Sequence, residues 1–226
     1  MNDFLKVILF VLIGTVAMLF PMAFVAWRYR IRISKSVLVA LYAAFCGTIS
    51  TYFWFFVENH WIGGISFFGA VLLMPLFFLP APKIFRESYK DLMDMFAPGI
   101  CMMLAVMKVK CHISQCCGGR ELCVGDALVR FPSQLAEMTN ALILMVVLLL
   151  MNNTKNKGRL YPWYMVLYGC SRFVLQVFRE EWVKDIGVRL PYSMIWSVLS
   201  VIIGIIWMKK MDTQVCSEEQ NTVEMQ

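Results

Sequence analysis

The sequence predicts an all-α, polytopic membrane protein with about seven transmembrane helices. Three observations carry this. First, 60% of the 226 residues are hydrophobic and 16% are charged, against ~45–50% and ~25% in a soluble domain. Second, the apolar residues fall into seven runs near the ~20 residues a helix needs to cross ~30 Å of hydrocarbon. Third, the connections are short, and every second one is basic. Disorder is excluded, because it needs low hydrophobicity and high net charge. Seven spans of ~20 residues leave room for no large soluble domain.

The runs lie at 4–27, 36–57, 65–82, 92–107, 134–151, 160–178 and 190–208. The first is too long for a signal-peptide core and has no small-residue cleavage site after it, so no cleavable leader is expected. Arg28, Arg30, Arg32 and Lys35 separate the first run from the second. Pro75, Pro80 and Pro82 mark the third as kinked or ending early. Lys83, Arg86 and Lys90 precede the fourth, Lys155, Lys157 and Arg159 the sixth, and Lys209 and Lys210 follow the seventh. These twelve cations occupy alternate connections and so one side of the membrane, and the positive-inside rule puts the N-terminus outside and the C-terminus in the cytoplasm. Residues 1–211 are expected to form one helical domain, and 212–226 a polar, disordered cytoplasmic tail. The net charge of +6 is a matter of membrane sidedness, and no nucleic-acid partner is expected.

A second set of cations breaks the inside bias. Lys108, Lys110, Arg120, Arg130, Arg172, Arg179, Lys184 and Arg189 fall on or near the outer side. Such residues either snorkel to water or build a basic pocket for an anion, most simply a lipid phosphate at headgroup level. In the sixth run Tyr168, Arg172, Gln176 and Arg179 recur at i, i+4, i+8 and i+11, within roughly 80° of one another on a helix. An arginine in a span costs about 2.5–3.5 kcal/mol on insertion scales, so it faces the bundle interior and needs a partner. A functional anion site is one reading. A structural arginine paired with Glu137 of the fifth run is the other.

Cys111, Cys116, Cys117 and Cys123 share one loop with His112. Their spacing matches no common zinc motif, so no metal is expected. Disulfides and free thiols both remain open. His60 and His112, on the outer side, could exchange protons near neutral pH or simply face solvent. A small transporter is a further class, but no pair of Gly- or Pro-broken helices recurs in corresponding halves.

Four segments, in order, resemble the prolipoprotein diacylglyceryl transferase family of bacterial inner-membrane enzymes. They are Gly63-Gly64-Ile65-Ser66-Phe67-Phe68-Gly69, Asp94 to Gly99 with Lys108 to Arg120, Arg130 to Glu137 (RFPSQLAE), and Tyr168 to Arg179. The resemblance spans about residues 60–180. It implies a multi-pass enzyme that moves the diacylglyceryl group of phosphatidylglycerol, or another anionic phospholipid, onto the cysteine thiol of a lipoprotein precursor peptide. No cofactor is implied. Tyr168, Arg172, Lys108 and Gln176 would be catalytic. Arg120, Arg179, Ser133, Gln134, Lys110 and Gly119 would bind substrate, with His60 or His112 as substitute acid/base. The chain departs from the family pattern at several positions: Phe68 stands for a histidine, Lys108 for an arginine, Cys111 for an asparagine and Gln176 for a glutamate. Phe131 and Ala136 stand for a histidine and a tyrosine around Pro-Ser-Gln-Leu, and the segment between Arg120 and Arg130 is short. The Cys111 to Gly119 segment is closer to a shorter, cysteine-containing branch of the superfamily. These losses motivate an alternative, a non-catalytic phospholipid- or lipoprotein-binding relative without the proton-transfer group.

Overall fold

A computed structural model of the chain describes residues 3–60, 65–114, 118–124, 127–153, 156–179 and 192–224. The elements are α1 (Asp3–Arg28), α2 (Ile33–Asn59), α3 (Phe67–Phe77), α4 (Ala81–Phe85) and α5 (Tyr89–Ile113), then β1 (Glu121–Val124) and β2 (Ala127–Arg130), then α6 (Ser133–Met151), α7 (Leu160–Gln176) and α8 (Tyr192–Glu224). The protein is mainly helical, and five helices are long and apolar enough to cross a membrane: α1, α2, α5, α6 and the Tyr192–Thr213 part of α8.

The other two expected spans are shorter. At 11 residues, α3 reaches only about 16 Å. Pro75 lies inside it, and Pro80 and Pro82 start the five-residue α4, since proline removes a helical N–H and clashes with the preceding turn. At 17 residues, α7 carries Tyr161, Tyr164, Tyr168, Arg172 and Gln176 on its buried side, so polarity as well as length sets it apart from the five. Helix α8 continues past the apolar stretch to Glu224, where the sequence suggests a disordered tail. No Gly or Pro interrupts 212–224, and Arg159 Nη2 meets Asp212 Oδ1 at 2.6 Å.

Helix α5 is central: 67% of its apolar window is buried, against 28% for α1 and α8. Every residue from Leu92 to Cys101 is buried, the pattern of a helix surrounded on all sides. Gly99 lets α1 approach, since a Cβ there would sit 2.9 Å from Met22 Cγ. Helices α7 and α8 cross at Gly169 and Gly204, where added Cβ atoms would lie 2.7 Å from Ser197 O and 2.9 Å from Pro162 O. Small residues at a crossing let backbones meet without a hydrophobic drive in lipid.

Asp94 of α5 closes one end of the bundle. Its fully buried carboxylate accepts hydrogen bonds from Leu160 N at 2.8 Å, Tyr29 Oη at 2.7 Å and Gly158 N. An anion at the start of α7 satisfies its orphan amides and suits its dipole. Gly158 makes the turn at φ +84°, a conformation that favours glycine. Burial, with the Asp94 charge beside it, pushes the Tyr29 phenol well above its usual range, so it stays a donor.

Candidate active site

The other end gathers the cations. Helix α5 ends with Lys108 one turn from its terminus, α6 begins there, and α7 delivers Arg172 in its last turn, with Arg179 just beyond. At the centre stands Glu137 of α6, 5% exposed. Its Oε2 lies 2.5 Å from Lys108 Nζ, and its Oε1 lies 2.8 Å from Arg172 Nη1 and 3.3 Å from Arg179 Nη1. Arg172 and Arg179 are 8% and 7% exposed. The structural pairing of Arg172 with Glu137 is therefore present, but the carboxylate is shared. Three cations around one anion leave these four side chains with a formal excess of two positive charges. Taking charges out of water is costly unless they are compensated, and the shared carboxylate compensates part of this charge.

The backbone locks this arrangement. Gly119 forms an antiparallel bridge with Arg179. Arg120 N donates to Phe178 O, and Phe131 N donates to Arg120 O, both at 3.0 Å. The Phe131 and Phe178 rings stack 5.0 Å apart. The approach is so tight that a Cβ on Gly119 would lie 2.1 Å from Phe131 O. The β1–β2 hairpin, paired from Glu121↔Arg130 to Val124↔Ala127, extends this junction, and Arg130 Nε donates to Gly119 O at 3.1 Å. Asn140 Nδ2 donates to Ser171 Oγ at 3.0 Å, tying α6 to α7 beside the cluster.

The structure brings most of the candidate residues together. Lys108, Arg172 and Arg179 meet on Glu137. Ser133 and Gln134 are buried one turn before Glu137, and Gln176 is buried one turn beyond Arg172. Tyr168 is buried one turn before Arg172. It stacks on Tyr164 at 5.5 Å and meets Phe67 and Phe68 at 5.7 Å each. Arg120 sits over the Phe178 ring at 5.7 Å, a cation–π geometry, with its buried Nε making no hydrogen bond.

Others stay apart. Lys110, two residues from Lys108, points to a different side of α5. His60 caps α2 at φ 56° and is exposed, and His112 is exposed at the end of α5. Phe68 is 4% exposed in the aromatic packing on Tyr168. Cys116, Cys117, Lys184 and Arg189 lie outside the described residues, and so does the pairing of the cysteine loop. Among the described residues no group of three His, Cys, Asp or Glu could hold a metal. Glu137 as the hub was legible in the sequence only as one possible partner of Arg172.

An apolar cavity of about 320 Å³ lies between α1, α2, α3 and α5, lined by Leu12, Gly47, Phe67, Phe96 and Met103 among others. Phe67 belongs both to its wall and to the ring cluster on Tyr168.

The prolipoprotein diacylglyceryl transferase family pattern matches residues 4–209. The phosphatidylglycerol–prolipoprotein diacylglyceryl transferase of Brucella anthropi is 30% identical over 161 residues, covering 64% of this chain and 57% of that protein. The transferase of the same name from Teredinibacter turnerae is 27% identical over 130 residues, 53% of this chain and 46% of its own. That from Streptococcus agalactiae is 26% identical over 162 residues, 65% and 62%. The chain thus spans about half to three-fifths of the length of these relatives.

Proposed function

The chain belongs to the prolipoprotein diacylglyceryl transferase family, and on that premise we propose that it transfers a diacylglyceryl group from phosphatidylglycerol to a cysteine thiol of a lipoprotein precursor. One observation carries the reading: Lys108, Arg172 and Arg179 converge on a single buried carboxylate. The reaction alkylates sulfur at the carbon that bears the phosphate. Negative charge grows on the phosphate oxygens as the carbon–oxygen bond breaks, and glycerol phosphate leaves. Cations fixed in a water-poor site stabilise that developing charge without reorganising. Three cations on one carboxylate suit a phosphate better than a neutral headgroup. The apolar cavity beside Phe67 suits an acyl chain.

This reading places the protein as a multi-pass component of the bacterial inner membrane. The twelve connecting cations face the cytoplasm, and the Glu137 end faces outward. Phosphatidylglycerol and the precursor peptide are the partners. The test is transfer of radiolabel from phosphatidylglycerol vesicles to a peptide bearing the acceptor cysteine, by the purified full-length protein. Turnover lowered roughly 10²–10³-fold by Arg172→Ala and kept by Arg30→Ala is the expected result. Absence of turnover in a folded wild-type protein sinks the reading. Buried Phe68 favours the second reading, a lipid-binding relative without proton transfer. That protein would bind the vesicles through Arg172 and transfer nothing.

A further inference from the structure

We propose that Glu58 is the proton acceptor for the attacking thiol, a catalytic carboxylate outside the four segments of family resemblance. The assignment rests on the transferase reading above. The thiolate is the nucleophile, so the thiol proton needs an acceptor. Phe68 cannot accept it. Glu137 already accepts from three cations, which occupy its oxygens. His60 and His112 are exposed.

Glu58 meets the requirements that these residues fail. It lies in the last turn of α2, at the same end of the bundle as the cation cluster, and is half-buried. Its carboxylate lies beside Ser66, Trp196 and Trp54. The ion pairs among the described residues do not include it. The indole nitrogens of Trp54 and Trp196 are buried and close no well-formed hydrogen bond. Their rings form an edge-to-face wall at 4.9 Å, and sulfur packs favourably against such rings.

The start of α3 lies between this carboxylate and the sixth-span stripe. Ser66 is the N-cap of α3. The next residue, Phe67, meets Tyr168 at 5.7 Å, and Tyr168 stands one turn from Arg172 on α7. A thiol seated between Glu58 and Tyr168 gives its proton to a Glu58 oxygen. The sulfur–carbon bond forms as the carbon–oxygen bond to phosphate breaks. The electron pair leaves on the phosphate oxygen, towards Lys108 and Arg172, and the proton on Glu58 passes to water before the next turnover.

The test compares wild type, Glu58→Gln and Glu58→Asp as full-length proteins with radiolabelled phosphatidylglycerol vesicles and the cysteine peptide. Turnover, lipid KM and melting temperature are read together. The expected result is a kcat lower by ~10²-fold or more in Glu58→Gln, the scale of a lost general base. Lipid KM and melting temperature hold, and Glu58→Asp keeps part of the rate. Glu58→Gln within threefold of an active wild type overturns this assignment and leaves the transferase reading standing. A rate loss equal in both variants with a lowered melting temperature makes Glu58 structural and also overturns it. An inert, folded wild type overturns the transferase reading, and this assignment with it.

Discussion

Asp94 and Glu137 are both buried carboxylates, and they are held in opposite ways. Asp94 and Lys108, the α5 partner of Glu137, are 14 residues apart on one helix, about 21 Å along its axis. Asp94 accepts from two backbone amides and a phenol, all neutral donors fixed by the fold. Glu137 faces three cations, all charged donors. A neutral cage completes itself and brings α1, α5 and the start of α7 together. On the reading proposed above, the cation cluster is completed by a further anion. The proposed function makes the first a carboxylate that stabilises and the second one that organises a binding site.

Removing Glu137 tests that difference most severely. Glu137→Ala leaves three cations buried without their shared partner, and breaking such a pair costs about 3–5 kcal/mol. The melting temperature in neutral detergent should fall sharply and recover in part with anionic lipid, because binding to the native state alone stabilises it. Recovery equal with zwitterionic and anionic lipid would contradict the excess-charge view. Arg172→Ala comes next. Loss of one fixed donor to developing charge costs roughly 10²–10³ in kcat, with stability less affected because Glu137 keeps Lys108 and Arg179.

Asp94→Ala should do the reverse. It leaves the Gly158 and Leu160 amides and the Tyr29 hydroxyl without an acceptor, at about 1–3 kcal/mol for each buried donor left unmet. Thermal unfolding should shift down while kcat per folded molecule stays at the wild-type value. A kcat loss at unchanged stability would place Asp94 in the chemistry and erase the contrast.

The sequence showed much of this, unevenly. Hydrophobic runs located the five long helices, because a span needs continuous apolar length. The run at 65–82 could not show that proline would split it into α3 and α4. The Tyr168/Arg172/Gln176/Arg179 stripe was readable from helical spacing, which is local. Glu137 as hub was not, because its partners come from three elements far apart in the chain. The β1–β2 hairpin was missed, although Gly125-Asp126 between two short apolar runs is a turn signal. Glu58 carried no pattern at all, since a lone carboxylate at a helix end looks like an interfacial charge.

The mildest change sharpens the comparison within the cation cluster. Lys108 is a point charge on a flexible stem, whereas a guanidinium offers two parallel donors to a phosphate. Lys108→Arg keeps the charge and the Glu137 contact and adds the fork. Lipid KM should fall about two- to fivefold, a gain below 1 kcal/mol, within the scale of one added hydrogen bond. Melting temperature and kcat should hold, because the number of charges around Glu137 is unchanged. Lys108→Gln keeps size and hydrogen bonding but removes the charge, and should raise KM instead. Were both substitutions to leave KM unchanged, Lys108 would be a partner of Glu137 alone, and the headgroup would rest on the two arginines.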